Sequence, residues 1–142
     1  VLSASVNVSG CEISAINQGF LILLGVEKDD ASEDLDYLVN KTVGLRIFND
    51  NNNNMNLSLK DVDGDALVVS QFTLCADALK GRRPSFINAA PSEIAESTYE
   101  KFCKKLKDEN VPVQMGRFGA IMEVSLINDG PVTIFLDSRN RR

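Results

Sequence analysis

The chain has 142 residues and a mass of 15.5 kDa, enough for one domain with a sizeable core and no need of staples. Its 44% apolar and 25% charged content is that of an ordinary globular protein, and no apolar run approaches membrane-spanning length, so a soluble molecule is expected. A net charge of -5 with a pI near 4.7 argues against non-specific coating of nucleic acid, which rests on neutralising many phosphates, and the complete lack of His excludes Ser-His-Asp and Cys-His catalysis and every His-based zinc site.

In chain order, Ala4, Val6 and Val8 alternate with polar neighbours, which predicts a half-buried strand over Ser3 to Val8 turned by Ser9-Gly10. Ile13 to Ile16 continues the meander. The apolar run Gly19 to Val26, bounded by glycines, predicts a central, fully buried strand. Leu35, Leu38, Val39, Thr42 and Val43 keep helical spacing after a capping arrangement at Asp30 and Glu33, so residues 31–44 read as an amphipathic helix. Arg46-Ile47-Phe48 reads as a short strand. The Asn-dominated segment Asn49 to Asn56 reads as a surface loop, because Asn favours turns and tolerates left-handed backbone.

Asp63-Gly64-Asp65 turns the chain into a strand over residues 66–74. Residues 76–88 lack periodicity and form a loop. Pro91-Ser92 opens a second helix, whose stripe Ile94, Ala95, Thr98, Tyr99, Phe102, Cys103 and Leu106 faces the core, which makes Cys103 an inert thiol. Pro112 ends that region, and Val113 to Met115 is a short strand. Glu123 to Ile127 and Val132 to Leu136 flank a Gly-Pro turn and predict a hairpin. Seven or eight strands with two helices suggest a mixed α/β domain with much antiparallel pairing. Cys11, Cys75 and Cys103 are odd in number, far apart and free of CxxC spacing, so neither a disulfide framework nor a thiolate metal site is suggested. A reducing cytosol is the expected home.

Two strings carry most of the functional information. Ser70-Gln71-Phe72-Thr73-Leu74 puts polar side chains where a buried strand reaches the molecular edge, the usual place for a site. Asn128-Asp129-Gly130-Pro131-Val132-Thr133 is either just a turn or a rigid presentation of carbonyl oxygens, since an X-Pro bond adopts cis at modest cost. Two basic patches, Lys80-Gly81-Arg82-Arg83 and the tail Arg139-Asn140-Arg141-Arg142, hold six of the fifteen Lys and Arg residues. Solvated loop or terminus and phosphate contact fit each patch equally.

These two strings, together with Gly81-Arg82-Arg83-Pro84-Ser85-Phe86 and Gly116-Arg117-Phe118-Gly119-Ala120, resemble the D-aminoacyl-tRNA deacylase family in its order and spacing, from Val1 to about Ser138. The resemblance implies a single α/β domain with a mixed, largely antiparallel, barrel-like sheet and two helices, acting as a homodimer in the cytoplasm without cofactor or metal. The reaction it implies is hydrolysis of the ester between a D-amino acid and the terminal adenosine of tRNA, a chiral proofreading step with glycyl-tRNA as a further substrate. Ser70, Gln71, Phe72 and Thr73 would form the catalytic pocket, with the N–H groups near Phe72 and Thr73 and the Gln71 amide as oxyanion donors.

By the same resemblance, Gly130 and Pro131 form a cis element that reaches into the other subunit's pocket and rejects L-side chains sterically. Phe118 and Met122 would lie near the terminal adenosine, a role that core packing rivals. Lys80, Arg82 and Arg83 would meet acceptor-stem phosphates. Cys75 departs from a position often aromatic in the family. The family also has one more short strand before Val1, whose absence would cost the sheet a member. Thr73 has no identifiable base, so an unassisted hydroxyl would attack poorly; the tRNA's own 2′-hydroxyl is the preferred activator of water. Two other classes compete: a silent RNA-binding module akin to the editing domain of archaeal threonyl-tRNA synthetases, and a small-molecule esterase.

Overall fold

The computed structural model describes residues 1–141. Strand β1 (Ser3–Val8) turns through Ser9-Gly10, both with positive φ, into β2 (Cys11–Ile16). They are followed by β3 (Gly19–Leu24), α1 (Ser32–Gly44), β4 (Arg46–Asn49), β5 (Met55–Ser58) and β6 (Asp65–Ser70). A 3-10 turn (Phe72–Cys75), α2 (Ser92–Asp108), β7 (Val113–Met115) and β8 (Glu123–Ile127) complete the chain. The strands form an antiparallel sheet β2-β1-β8, a parallel sheet β3-β6-β7 and an antiparallel ribbon β4-β5.

Strand β6 organises the packing because both its faces are covered. Ala66 and Val68 join Leu35, Val39, Tyr99, Phe102, Cys103 and Leu106 in a core between the parallel sheet and the two helices. Leu67 and Val69 point the other way and meet Ala4, Val6 and Ile16 of the antiparallel sheet. The order is therefore antiparallel sheet, parallel sheet, helices. A strand buried on both faces reads as a continuous apolar run, which is what Ala66-Leu67-Val68-Val69 is. Burying each of its larger side chains contributes roughly 1.5–3 kcal/mol.

The domain is mixed α/β with two helices and several small sheets. Five of its differences from the sequence reading concern strands and core packing. First, β3 pairs only with β6 and is an edge strand, so Leu23 is 43% exposed and the central, fully buried position belongs to β6. Second, the strand expected over 66–74 stops at Ser70, where the chain tightens into the 3-10 turn. Third, Val132 to Leu136 forms no strand: the Asn128 side chain ties this segment into a loop, and β8 keeps β1 as its strand partner. Fourth, the strands form three separate ladders rather than one mixed, barrel-like sheet, with three of the five pairings antiparallel and two parallel. Fifth, Ile94 is exposed rather than part of the α2 core stripe.

Helix α1 begins where expected, with a different cap. Asp34 accepts the Ala31 N–H at 2.8 Å, while Asp30 turns back to accept the Glu27 N–H at 2.7 Å. The Asn-rich loop narrows to residues 50–54, where Asp50 accepts the N–H groups of Asn52 and Asn54.

Candidate active site

Parallel strands β3, β6 and β7 end together, with Leu24 opposite Ser70 and Met115 opposite Val68. In open α/β sheets ligands gather at that carboxyl edge. Three segments emerge from it: Gly25-Val26 from β3, Ser70 to Cys75 from β6, and Gly116 to Met122 from β7.

The turn Phe72–Cys75 is held from below. The Gln71 N–H donates to the Leu24 carbonyl at 2.8 Å, and the Cys75 thiol donates to the Val26 carbonyl at 3.5 Å. Gly25 lies beneath it, where a Cβ would come 3.1 Å from Leu74 Cβ and 3.2 Å from the Gln71 carbonyl oxygen. A side chain there would press on the turn, so the glycine eases this close approach just past the end of β3. The sequence marked Gly25 merely as the boundary of an apolar run, and its role at the site escaped that reading.

Above this support, Ser70 and Gln71 are half-buried while Phe72, Thr73 and Leu74 are exposed. Gln71 Nε2 donates to Thr73 Oγ1 at 2.5 Å, which fixes the Thr73 side chain and occupies one of the two Gln71 amide hydrogens. A nucleophilic hydroxyl needs a base to take its proton. Thr73 Oγ1 receives a hydrogen bond instead, and among the described residues no carboxylate bonds to it. As the first two residues of the turn, Phe72 and Thr73 have N–H groups without an acceptor inside it. Burial raises the Cys75 thiol, with Glu27 and Asp30 adding to the shift, and pushes the Cys103 thiol up to about 11. Both stay protonated at neutral pH, so neither supplies a thiolate.

Gly116 donates its N–H to the Val68 carbonyl, and a Cβ there would sit 2.9 Å from Met122 Sδ. Met122 packs on the core between the sheets. Phe118 packs on the helix-side core, with its ring 6.1 Å from that of Tyr99. Both remain partly exposed at the same sheet edge as Ser70.

After the turn, Asp77 and Ser85 exchange two backbone hydrogen bonds of 2.8 Å and close a loop around Gly81, whose φ is +73. Lys80, Arg82 and Arg83 stand exposed on it, and no ion pair among the described residues engages them. The second basic patch behaves differently. Arg139 binds Asp30 at 2.7 Å and Glu27 at 3.6 Å, and Arg141 stacks 3.9 Å above the Tyr37 ring. These two side chains strap the tail to the α1 end of the molecule; Arg142 lies outside the described residues.

Gly130 and Pro131 are exposed, their peptide bond is cis and the Gly130 φ is +128. Asn128 brackets the pair: its Oδ1 accepts the Val132 N–H at 3.0 Å and its Nδ2 donates to Thr133 Oγ1 at 3.0 Å. The sequence assigns Asn128 no role, because a side chain that bonds to nearby backbone has no periodic signal. No hydrogen bond among the described residues joins this loop to residues 70–75 within one chain.

The molecule thus has the architecture and motif placement of an aminoacyl-tRNA deacylase, a class of hydrolases that cleaves the aminoacyl ester. Residues 1–137 match the D-Tyr-tRNA(Tyr) deacylase family. The chain belongs to that family. It is 54% identical to a D-aminoacyl-tRNA deacylase of Finegoldia magna, over 99% of this chain and 95% of the relative. A D-aminoacyl-tRNA deacylase of Clostridioides difficile is 56% identical over 97% of this chain and 93% of the relative. Among solved structures, a c-Myc DNA unwinding element binding protein superposes with a TM-score of 0.92 at 42% identity, covering 96% of this chain and 93% of its own. A probable eukaryotic D-amino acid tRNA deacylase shares the fold, with a TM-score of 0.70 at 19% identity and 87% of each chain covered.

Proposed function

We propose that the protein hydrolyses the ester of D-aminoacyl-tRNA and releases free D-amino acid and tRNA, a chiral proofreading step of translation in the cytoplasm. Family membership over residues 1–137 carries this reading. The pocket is the turn Ser70 to Thr73, and its chemistry is positional. The ester is activated already, so orientation of water and stabilisation of the oxyanion suffice. The N–H groups of Phe72 and Thr73 and the free hydrogen of the Gln71 amide are the oxyanion donors. Water attacks the carbonyl carbon, the bond to the ribose oxygen breaks, and the proton of the water passes to that oxygen with the neighbouring 2′-hydroxyl as relay. The Gln71 to Thr73 hydrogen bond supports a positional rather than nucleophilic Thr73.

Substrate is held by residues from three places. Phe118 and Met122 border the terminal adenosine, and Lys80, Arg82 and Arg83 meet acceptor-stem phosphates, where a guanidinium suits the geometry. Gly130 and Pro131 act across a homodimer, where a backbone wall excludes L-side chains without gripping the D-side chain. The exposure of this loop and of Leu126 and Ile127 on the adjoining strand supports that assembly. Such a wall leaves glycyl-tRNA, with no side chain to exclude, as a further substrate.

The test is ester loss from matched D-tyrosyl-tRNA and L-tyrosyl-tRNA against a control without enzyme. Rapid loss of the D-form alone is expected; loss of neither would return the chain to a silent tRNA-binding module. Thr73→Ala should keep substantial activity, whereas tRNA ending in 2′-deoxyadenosine should not be cleaved. A dead Thr73→Ala enzyme that still binds substrate would overturn the positional mechanism.

A further inference from the structure

The basic loop and the candidate catalytic turn are tied together at both ends. At the near end the tie is covalent, since Asp77 follows Cys75 by two residues and the Ala76 N–H donates to the Thr73 carbonyl. At the far end it is aromatic. The Phe86 ring, one residue past the Asp77–Ser85 closure, meets the Phe72 ring edge-on at 5.0 Å between centroids and 68° between planes. Edge-to-face packing fixes ring orientation, because the positive edge of one ring seeks the negative face of the other. Phe72 is 58% exposed and Phe86 38%, so neither ring is needed to fill the core. Their pairing gives the turn a contact beyond those it makes with Leu24, Gly25 and Val26.

We propose that Phe86 is a positioning residue for the deacylation reaction. It holds the Phe72 ring, and through it the Phe72–Thr73 backbone, in register with the loop that carries Lys80, Arg82 and Arg83. The inference rests on the proposed reaction. Without the Phe86 edge, Phe72 is free to rotate and the turn loses its outer brace, so the carbonyl of a bound ester meets a less ordered set of donors. Small displacements of this kind cost rate rather than binding.

The measurement is steady-state and single-turnover cleavage of D-tyrosyl-tRNA by wild type, Phe86→Leu and Phe86→Tyr, with thermal unfolding of each. Phe86→Leu should lower kcat roughly tenfold with KM nearly unchanged and a melting temperature close to wild type. Phe86→Tyr, which keeps the aromatic edge, should restore the rate. The losses in Phe72→Leu and Phe86→Leu should be strongly non-additive in the double variant, because both act through one contact. Wild-type kcat in Phe86→Leu, additive losses, or a fall in rate that follows only a fall in melting temperature would overturn the inference. An inactive wild type would overturn the proposed reaction itself, an outcome distinct from an active wild type beside an unaffected Phe86→Leu.

Discussion

The turn Ser70 to Cys75 and the loop Asn128 to Thr133 are built in opposite ways. Below the turn lie Gly25, the Leu24 and Val26 carbonyls and the doubly buried strand β6. Among the described residues the loop's side-chain hydrogen bonds come from Asn128, and apart from half-buried Val132 it is exposed. Damage under the turn should therefore reach stability and activity together. Damage to the loop should reach activity alone, since a surface change away from packing rarely moves stability by more than about 0.5 kcal/mol.

The largest effect is expected from Gly25→Val, which drives a side chain into Leu74, Gln71 and Cys75 from 3.1–3.3 Å away. Overpacking of this kind costs about 1–3 kcal/mol. Urea unfolding should show that loss together with loss of deacylation; a stable, active variant would break the contrast at its root. Asn128→Ala comes next. It frees the Val132 N–H and the Thr133 hydroxyl into solvent, so the urea midpoint should hardly move while D-tyrosyl-tRNA cleavage falls roughly tenfold through misplacement of the loop. A matching fall in stability would mean that the loop is part of the core after all. Replacing Arg82 and Arg83 together by Gln should raise KM for tRNA severalfold and flatten the salt dependence of binding, because each lost cation removes counterion release.

The two regions were also unequally legible. The run Ala66 to Val69 announced a strand leading to a polar edge, and Ser70 to Thr73 does stand at the end of β6. Hydrophobic periodicity reports burial, and burial was what defined that element. The same signal misjudged Gly19 to Val26. An apolar strand at a sheet edge and one at its centre read alike, and only pairing with β6 alone distinguishes β3. At the loop, the run Val132 to Leu136 with β-branched Val132, Thr133 and Ile134 suggested a second hairpin strand, but the Asn128 side chain claims the Val132 N–H that a ladder would need. Such side chain to backbone competition has no periodicity and leaves no trace in an apolar pattern. The supporting role of Gly25 was hidden for a related reason: what a missing Cβ makes room for comes from residues 46 or more positions away, Gln71 to Cys75.

The smallest expected effect concerns the tail, the basic patch that the fold uses for itself. Asp34 is held below the ordinary carboxylate value of 3.8, chiefly by the Ala31 N–H, then by Ser138, with Arg139 and Arg141 adding to the shift. A carboxylate depressed in the folded state contributes stability that is complete above its unfolded value and is lost as pH falls through the folded one. The contribution of Asp34 to the tail should therefore be complete at pH 5 and be lost only below the ordinary carboxylate value, whereas Lys80, Arg82 and Arg83 have no ion-pair partner among the described residues to lose. Amide shifts of Ser138 and Arg139 followed by NMR from pH 6 downwards would read this step, and Asp34→Asn should remove it while leaving Arg139 on Asp30 and Glu27. Shifts of Ser138 and Arg139 that Asp34→Asn leaves unchanged would show that the tail does not feel Asp34, and the division between a strapping patch and a free one would have to be redrawn.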